Sequence, residues 1–263
     1  MLAQQRQVSI VETLRRSGAM RVGDLARLLD VSEMTVRRDL KVLEESGALA
    51  RVHGGAMLRE GAKDPHVDEP SYLEKALIAK PAKLAIAERA AALVEPGAVV
   101  GVSAGTTPWY LASHLATVSP LTVVTNSITV SERIAELGEP SAQNIILTGG
   151  TRTPSAGLVG PIADRAVRSV NIDLLFIGCY GMDAAAGLTS PSFAEGETNR
   201  TLVSCSRRVV VIADSSKWGM LGVDSWARFD DVDVLITDDG LPETARAQLT
   251  GRVGELVVVS AGE

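Results

Sequence analysis

Ser32, Thr35, Arg37, Arg38 and Lys41 fall within ten residues of one another. That density of hydroxyls and cations suits a surface that meets a nucleic acid. Arginine reads guanine through two hydrogen bonds, and either cation neutralises phosphate. Arg51, His53 and Gly54 form a second polar string close behind, placed to reach an adjacent groove or the backbone. A different chemistry is spelled farther along. Ser103, Gly105, Thr106 and Thr107 close an apolar run. There glycine permits close backbone approach, threonine hydroxyls donate, and the start of a helix attracts an anion. Asn126, Gly149, Gly150, Asp183, Glu195, Asp214 and Lys217 stand after later apolar runs, and Asp183, Glu195 and Lys217 are of the types that serve as acid–base groups. Each has an ordinary alternative. Arg37 or Arg38 can pair with Asp39 or Glu44 on a solvated face, Asp214 can be a cap, Lys217 can be solvated, and Glu195 can simply favour a helix dipole.

The elements that would position the first group are three helices and a hairpin. Val8, Ile10, Val11 and Leu14 recur at helical spacing and stop at Ser17-Gly18. Val22, Leu25, Ala26, Leu28 and Leu29 repeat the pattern, and a third begins at Glu33 and runs through Val36, Leu40 and Leu43 to Ser46-Gly47. The connection 30–32 is the tight turn of a helix-turn-helix, with Ser32 as N-cap. Leu49–His53 and Ala56–Leu58 flank Gly54-Gly55 and predict a β-hairpin. Residues 1–58 are thus expected to form an all-α winged helix-turn-helix, with Thr35, Arg37, Arg38 and Lys41 on the outer face or at the start of its recognition helix. Residues 59–75, polar with two prolines and a glycine, read as a linker.

Over 76–263 short β-branched runs alternate with helix-sized segments. Strands are predicted at Ala98–Val102, Leu121–Thr125, Asn144–Thr148, Asp173–Gly178, Arg208–Ala213, Asp233–Thr237 and Leu256–Ser260. Apolar strands alternating with helices imply an α/β domain with a mostly parallel sheet covered on both faces. Ligands of such sheets bind beyond the carboxyl ends of the strands, where the second group of polar residues lies. Pro81 interrupts the helical pattern that leads into the domain, which predicts a kink or two helices.

Composition narrows the classes. The chain has 263 residues, 46% of them hydrophobic, which excludes a disordered polypeptide. Nine aromatic residues are too few for a surface that stacks single-stranded bases. The net charge of −6 is unevenly spread. Residues 1–60 carry ten basic against eight acidic side chains, net +2, and the remainder carries net −8. A basic end on an acidic body suits an anion-binding module attached to a separate domain. Cys179 and Cys205 lack a CxxC partner, and the three histidines show no ligand spacing, so neither a metal nor a disulfide is expected. No apolar run is long enough for a membrane span and no signal segment is evident. A cytoplasmic location is expected.

The string from Asp24 to Gly47, with Val31-Ser32-x-x-Thr35-Val36-Arg37-Arg38-Asp39-Leu40 at its centre, and the His53-Gly54-Gly55-Ala56 wing resemble the N-terminal domain of the DeoR family of bacterial transcription regulators. Gly105-Thr106-Thr107, Thr125-Asn126-Ser127, Gly149-Gly150, Gly178-x-x-Gly181-x-Asp183, Glu195 and Asp214-x-x-Lys217 resemble that family's C-terminal sensor domain, which is related in fold to ribose-5-phosphate isomerase. The resemblance spans about residues 4–260. It implies a repressor of a sugar or carbohydrate catabolic operon, without cofactor or metal, that binds double-stranded operator DNA as a homodimer or tetramer. It also implies a phosphorylated sugar effector, with Gly105-Thr106-Thr107 on the phosphate and Asp183, Glu195, Asp214 and Lys217 around the sugar. The chain departs from the family pattern at Ser103-Ala104, where aspartate is usual, at Asn199, where a lysine is usual, and at Lys75, where an arginine is usual; Lys83 is retained. The alternative is a sugar-phosphate isomerase-like enzyme carrying a DNA-binding module.

Overall fold

The computed structural model describes residues 10, 19–29, 31–45, 49–52, 55–58, 76–139 and 143–262. The chain divides into two compact units, Met1–Asp68 and Glu69–Glu263.

In the first unit, strand β1 (Ala19–Arg21) leads directly into helix α1 (Val22–Leu29), and helix α2 (Glu33–Glu45) follows after a three-residue connection. Strands β2 (Leu49–Val52) and β3 (Gly55–Leu58) complete the wing. Helix formation follows the apolar spacing: Val22, Leu25, Ala26 and Leu29 of α1 pack with Val36 and Leu40 of α2 and with Ile10 in one small core. Of the first expected helix only Ile10 is described; it is helical and fully buried. The α2 N-terminus is capped as expected, the Thr35 N–H donating to the Ser32 hydroxyl at 3.2 Å. Ser32→Ala should therefore cost about 1 kcal/mol, read as faster hydrogen exchange of the first α2 amides in the full chain.

The hairpin registers Val52 against Gly55. It gains a third strand that periodicity could not reveal, because β1 is only three residues long: Met20 pairs with Ala56, so the sheet order is β1-β3-β2. Gly55 is required by this pairing, since a Cβ there would run into the Met20 carbonyl.

The second unit is a seven-stranded sheet. Its strands are β4 (Val99–Val102), β5 (Leu121–Thr125), β6 (Gln143–Leu147), β9 (Leu174–Ile177), β12 (Val209–Ile212), β14 (Val234–Asp238) and β15 (Glu255–Val259). They match the seven expected runs within about a residue at each end. Every pairing is parallel, in the order β15-β14-β12-β9-β4-β5-β6. Alternate side chains feed two cores. Phe176, Val210 and Ile236 face helices α3 (Lys80–Ala91), α4 (Thr106–Leu115) and α5 (Ile128–Leu137). Leu175, Val211 and Leu235 face helices α6 (Pro161–Arg168), α7 (Phe193–Ser204) and α8 (Glu243–Leu249). Burial on both faces explains why the central strands read as unbroken apolar runs.

Of the kink or two helices expected around Pro81, the second is found: Ala76 and Leu77 are helical, the chain turns at Ile78-Ala79, and Pro81 stands in the first turn of α3, where the missing N–H costs nothing. Sequence reading passed over two small antiparallel sheets. One comprises β10 (Gly181–Asp183), β11 (Gly187–Ser190) and β13 (Asp224–Ala227), and the other β7 (Thr151–Arg152) and β8 (Leu158–Val159). Strands of two to four residues interrupted by glycine carry no readable period.

Candidate functional site

On α2 the buried side is Val36, Asp39 and Leu40, and Arg37, Arg38 and Lys41 are exposed. Ser32 and Thr35 are engaged with each other, their hydroxyls 2.9 Å apart. Arg37 pairs with Glu33, one turn back, at 3.4 Å; the Glu44 side chain lies outside the described residues. Both partners of this pair are more than half exposed, and such a contact is too weak to keep Arg37 from a phosphate or a base. Arg51 falls on β2 by its backbone; its side chain, His53 and Gly54 lie outside the described residues.

In the second unit the strand order reverses between β4 and β9. The connection that leaves β6 at one edge returns to β9 at the centre, which opens a crevice at the carboxyl ends of the two strands. A cleft of about 110 Å³ lies there. Gly105 carries the chain from β4 into α4 at φ 146°, a conformation that side chains rarely adopt. Thr106 and Thr107 form the first turn of α4, whose backbone N–H groups lack helical acceptors. All three line the cleft. Across from them the α7 N-terminus, capped by the Ser192 hydroxyl at 3.3 Å, presents Glu195 in its first turn and Asn199 one turn on. Lys217 arrives from the 3₁₀ turn Ser215–Lys217 that follows β12.

Asn126 lines the cleft and also holds it together. Its carbonyl oxygen accepts from the Ala104 N–H at 2.9 Å and its amide donates to the Leu158 carbonyl at 3.1 Å. Among the described residues that line the cleft, Lys217 is the one cation and Glu195 the one carboxylate. Helix starts plus an ammonium favour an anionic group, and Glu195, Asn199, Ser155, Ser190 and Tyr180 offer hydrogen bonds to hydroxyls.

Five expected residues lie outside the lining. Ser103 is buried beneath it; its hydroxyl accepts from the Gly178 N–H at 3.0 Å and so ties the ends of β4 and β9. Gly149 and Gly150 form the turn after β6 at φ 71° and 120°. Asp183 closes the turn between β10 and β11: its carboxylate accepts from the Ala185 and Ala186 N–H groups at 2.9 and 2.8 Å, which hold its carboxyl below the usual range. Asp214 is buried, accepts from the Ser216 N–H at 3.2 Å and the Ser216 hydroxyl, and faces the Lys83 ammonium at 3.9 Å.

The strand-end rule pointed to the stretch from Gly178 to Asp183 and took Asp183 as its ligand, whereas Gly178, Cys179 and Tyr180 line the cleft, because β10 carries the chain away before Asp183. Ser190 and Pro191 at the end of β11, and Ser155 and Gly157, were not among the expected ligand residues. They depend on the small antiparallel strands.

Cys179 packs against the second core, and burial pushes its thiol up to about 12, with Lys217 pulling it down and Asp214 pushing it up by less. At pH 8 it is a neutral thiol. Its alkylation by iodoacetamide, followed by mass spectrometry, should be slower than that of an exposed cysteine and accelerate up to about pH 12. The folded state holds this proton above the ordinary thiol value, so its contribution to stability declines as pH rises through that window.

A helix-turn-helix unit on one polypeptide with a cleft-bearing parallel sheet is the architecture of ligand-responsive DNA-binding regulators. Residues 6–61 match the DeoR-like helix-turn-helix domain and residues 78–239 the DeoR C-terminal sensor domain. The chain is 34% identical over 259 residues, 98% of each chain, to an uncharacterized HTH-type transcriptional regulator of Escherichia coli K12. It is 35% identical over 251 residues, 95% of each chain, to the HTH-type transcriptional regulator GlpR of Haloferax volcanii. Among solved structures, ribose 5-phosphate isomerase A of Neisseria gonorrhoeae matches 53% of each chain at 17% identity and a TM-score of 0.38, a likeness too distant to build on. The chain belongs to the DeoR family of helix-turn-helix transcriptional regulators. Its relatives bear the names of regulators, not of enzymes, which sets the isomerase-like alternative aside. No helix among the described residues is long and apolar enough to cross a membrane.

Proposed function

We propose that the chain represses a carbohydrate catabolic operon by binding double-stranded operator DNA through α2 and the β2–β3 wing, and that a phosphorylated sugar held in the cleft controls that affinity. Residues 1–58 would be the DNA-binding part, 59–75 the linker and 76–263 the sensor. Repression is the activity named for relatives such as the transcriptional repressor AccR of Agrobacterium fabrum. The observation that carries the effector reading is the cleft itself, where Gly105, Thr106 and Thr107 at the start of α4 share one lining with Lys217. A phosphate would sit on the α4 N–H groups with the Lys217 ammonium beside it, while Glu195 and Asn199 take sugar hydroxyls. A homodimer or tetramer suits a two-fold operator.

The test is titration of operator binding with phosphorylated aldoses and ketoses beside their unphosphorylated counterparts. One phosphorylated sugar is expected to shift DNA affinity while its free sugar does not. A ligand can move the equilibrium only by its differential affinity for the two states, so a sugar phosphate that binds without changing DNA affinity rejects the switch. For the DNA side, Arg38→Ala should weaken binding to a selected site by about 1–3 kcal/mol. Fluorescence anisotropy on that site and on random duplex separates base reading from phosphate contact, because equal losses on both mean phosphate only.

A further inference from the structure

Met34 is 80% exposed, more than any other large apolar side chain among the described residues. A single exposed methionine needs no explanation on most surfaces. Met34 occupies the second position of α2, directly after the Ser32 cap and Glu33. The first turn of a recognition helix is the part that meets base edges in the major groove.

The neighbouring side chains are engaged in ways that isolate it. Thr35 is tied to Ser32, Glu33 is paired with Arg37, and Val36 and Leu40 are buried. Residues four and seven positions on from Met34 share its face of a helix. These are Arg38 and Lys41, both exposed. The face is therefore an apolar side chain at the leading end, an arginine one turn behind, and a lysine behind that.

In the major groove the apolar group on offer is the C5-methyl of thymine, and the group that takes arginine in two hydrogen bonds is the O6/N7 edge of guanine. We infer that Met34 is a specificity-determining residue that packs on a thymine methyl in the same half-site as the guanine read by Arg38. Methionine suits the role because its unbranched thioether adjusts to a small methyl target without a fixed rotamer. This rests on the DNA-binding reading above and adds the base preference of one position.

The experiment selects duplexes from a random library with the full-length chain. It then measures wild type and Met34→Ala on the selected site and on copies in which each thymine in turn is replaced by deoxyuridine, which removes only the methyl group. One replacement is expected to weaken wild type about fourfold, the factor worth one buried methyl group, and to leave Met34→Ala unchanged. Met34→Ala is expected to hold random duplex as tightly as wild type. The inference is overturned if no thymine is selected, if no replacement affects wild type, or if Met34→Ala loses the same factor as wild type. A chain that enriches no sequence at all overturns the DNA-binding reading and this inference with it.

Discussion

Lys83→Met is expected to destabilise the second unit by about 3–5 kcal/mol, among the largest effects of a single side chain in this protein. The Lys83 and Asp214 side chains are 3% and 1% exposed, with ammonium and carboxylate 3.9 Å apart. Methionine keeps the length and apolar stem of lysine but leaves the Asp214 carboxylate buried without its cation. One Asp214 oxygen has no hydrogen-bond partner, so Lys83 is its source of compensation. For a unit of this size the loss corresponds to a melting shift of roughly 6–20 °C. The pair is expected to be strongly coupled: Lys83→Met combined with Asp214→Asn, which removes the charge, should recover much of the loss, because a buried ion pair replaced as a whole is far less costly than one broken. Additive losses in calorimetry would mean that the two side chains act independently.

Lys217→Ala is expected to abolish the effector response while leaving DNA binding intact. Lys217 is the cation of the cleft lining, and its backbone forms the hydrogen bonds of the 3₁₀ turn that alanine retains. Removing one charge-assisted contact to a phosphate should weaken the effector by roughly 10- to 150-fold, from about 1.5–3 kcal/mol. In a thermal-shift assay, the roughly 2.7 kcal/mol of stabilisation that a ligand gives at one hundred times its dissociation constant should fall to about 0.3–1.4 kcal/mol at the same concentration. Loss of operator affinity in Lys217→Ala without any ligand would instead tie Lys217 to the DNA-binding part. Lys217→Arg keeps the charge but changes its geometry, so partial response in that variant would separate a requirement for charge from one for shape.

Much of the fold is legible in the residues alone. The seven central strands were visible because a parallel strand covered on both faces must be apolar at every position, as Leu174–Ile177 and Val209–Ile212 are. The α2 cap was visible because Ser32 precedes an amphipathic run. Other features had no local signature. Pro81 signalled a break but not its place, which is the turn at Ile78-Ala79 just before it; β1 became a strand only because the β2–β3 hairpin offered it an edge at Met57–Gly55.

The candidate site divides in the same way. Gly105, Thr106, Thr107, Asn126, Glu195 and Lys217 line the cleft, each at a strand end or a helix start. Asp183 and Asp214 are of the same residue types and follow strands as well, yet one closes a turn and the other is buried against Lys83. Residue type and spacing determined which segments form the seven strands of the parallel sheet, where the helix-turn-helix lies, and where anion-friendly turns fall, because these follow from local backbone chemistry and hydrophobic period. Tertiary structure alone decided which of those turns share a cleft. Strand order places β4 beside β9 across a gap of more than seventy residues in sequence, and pairing between distant segments is set by the packing of the whole sheet, which no local window contains.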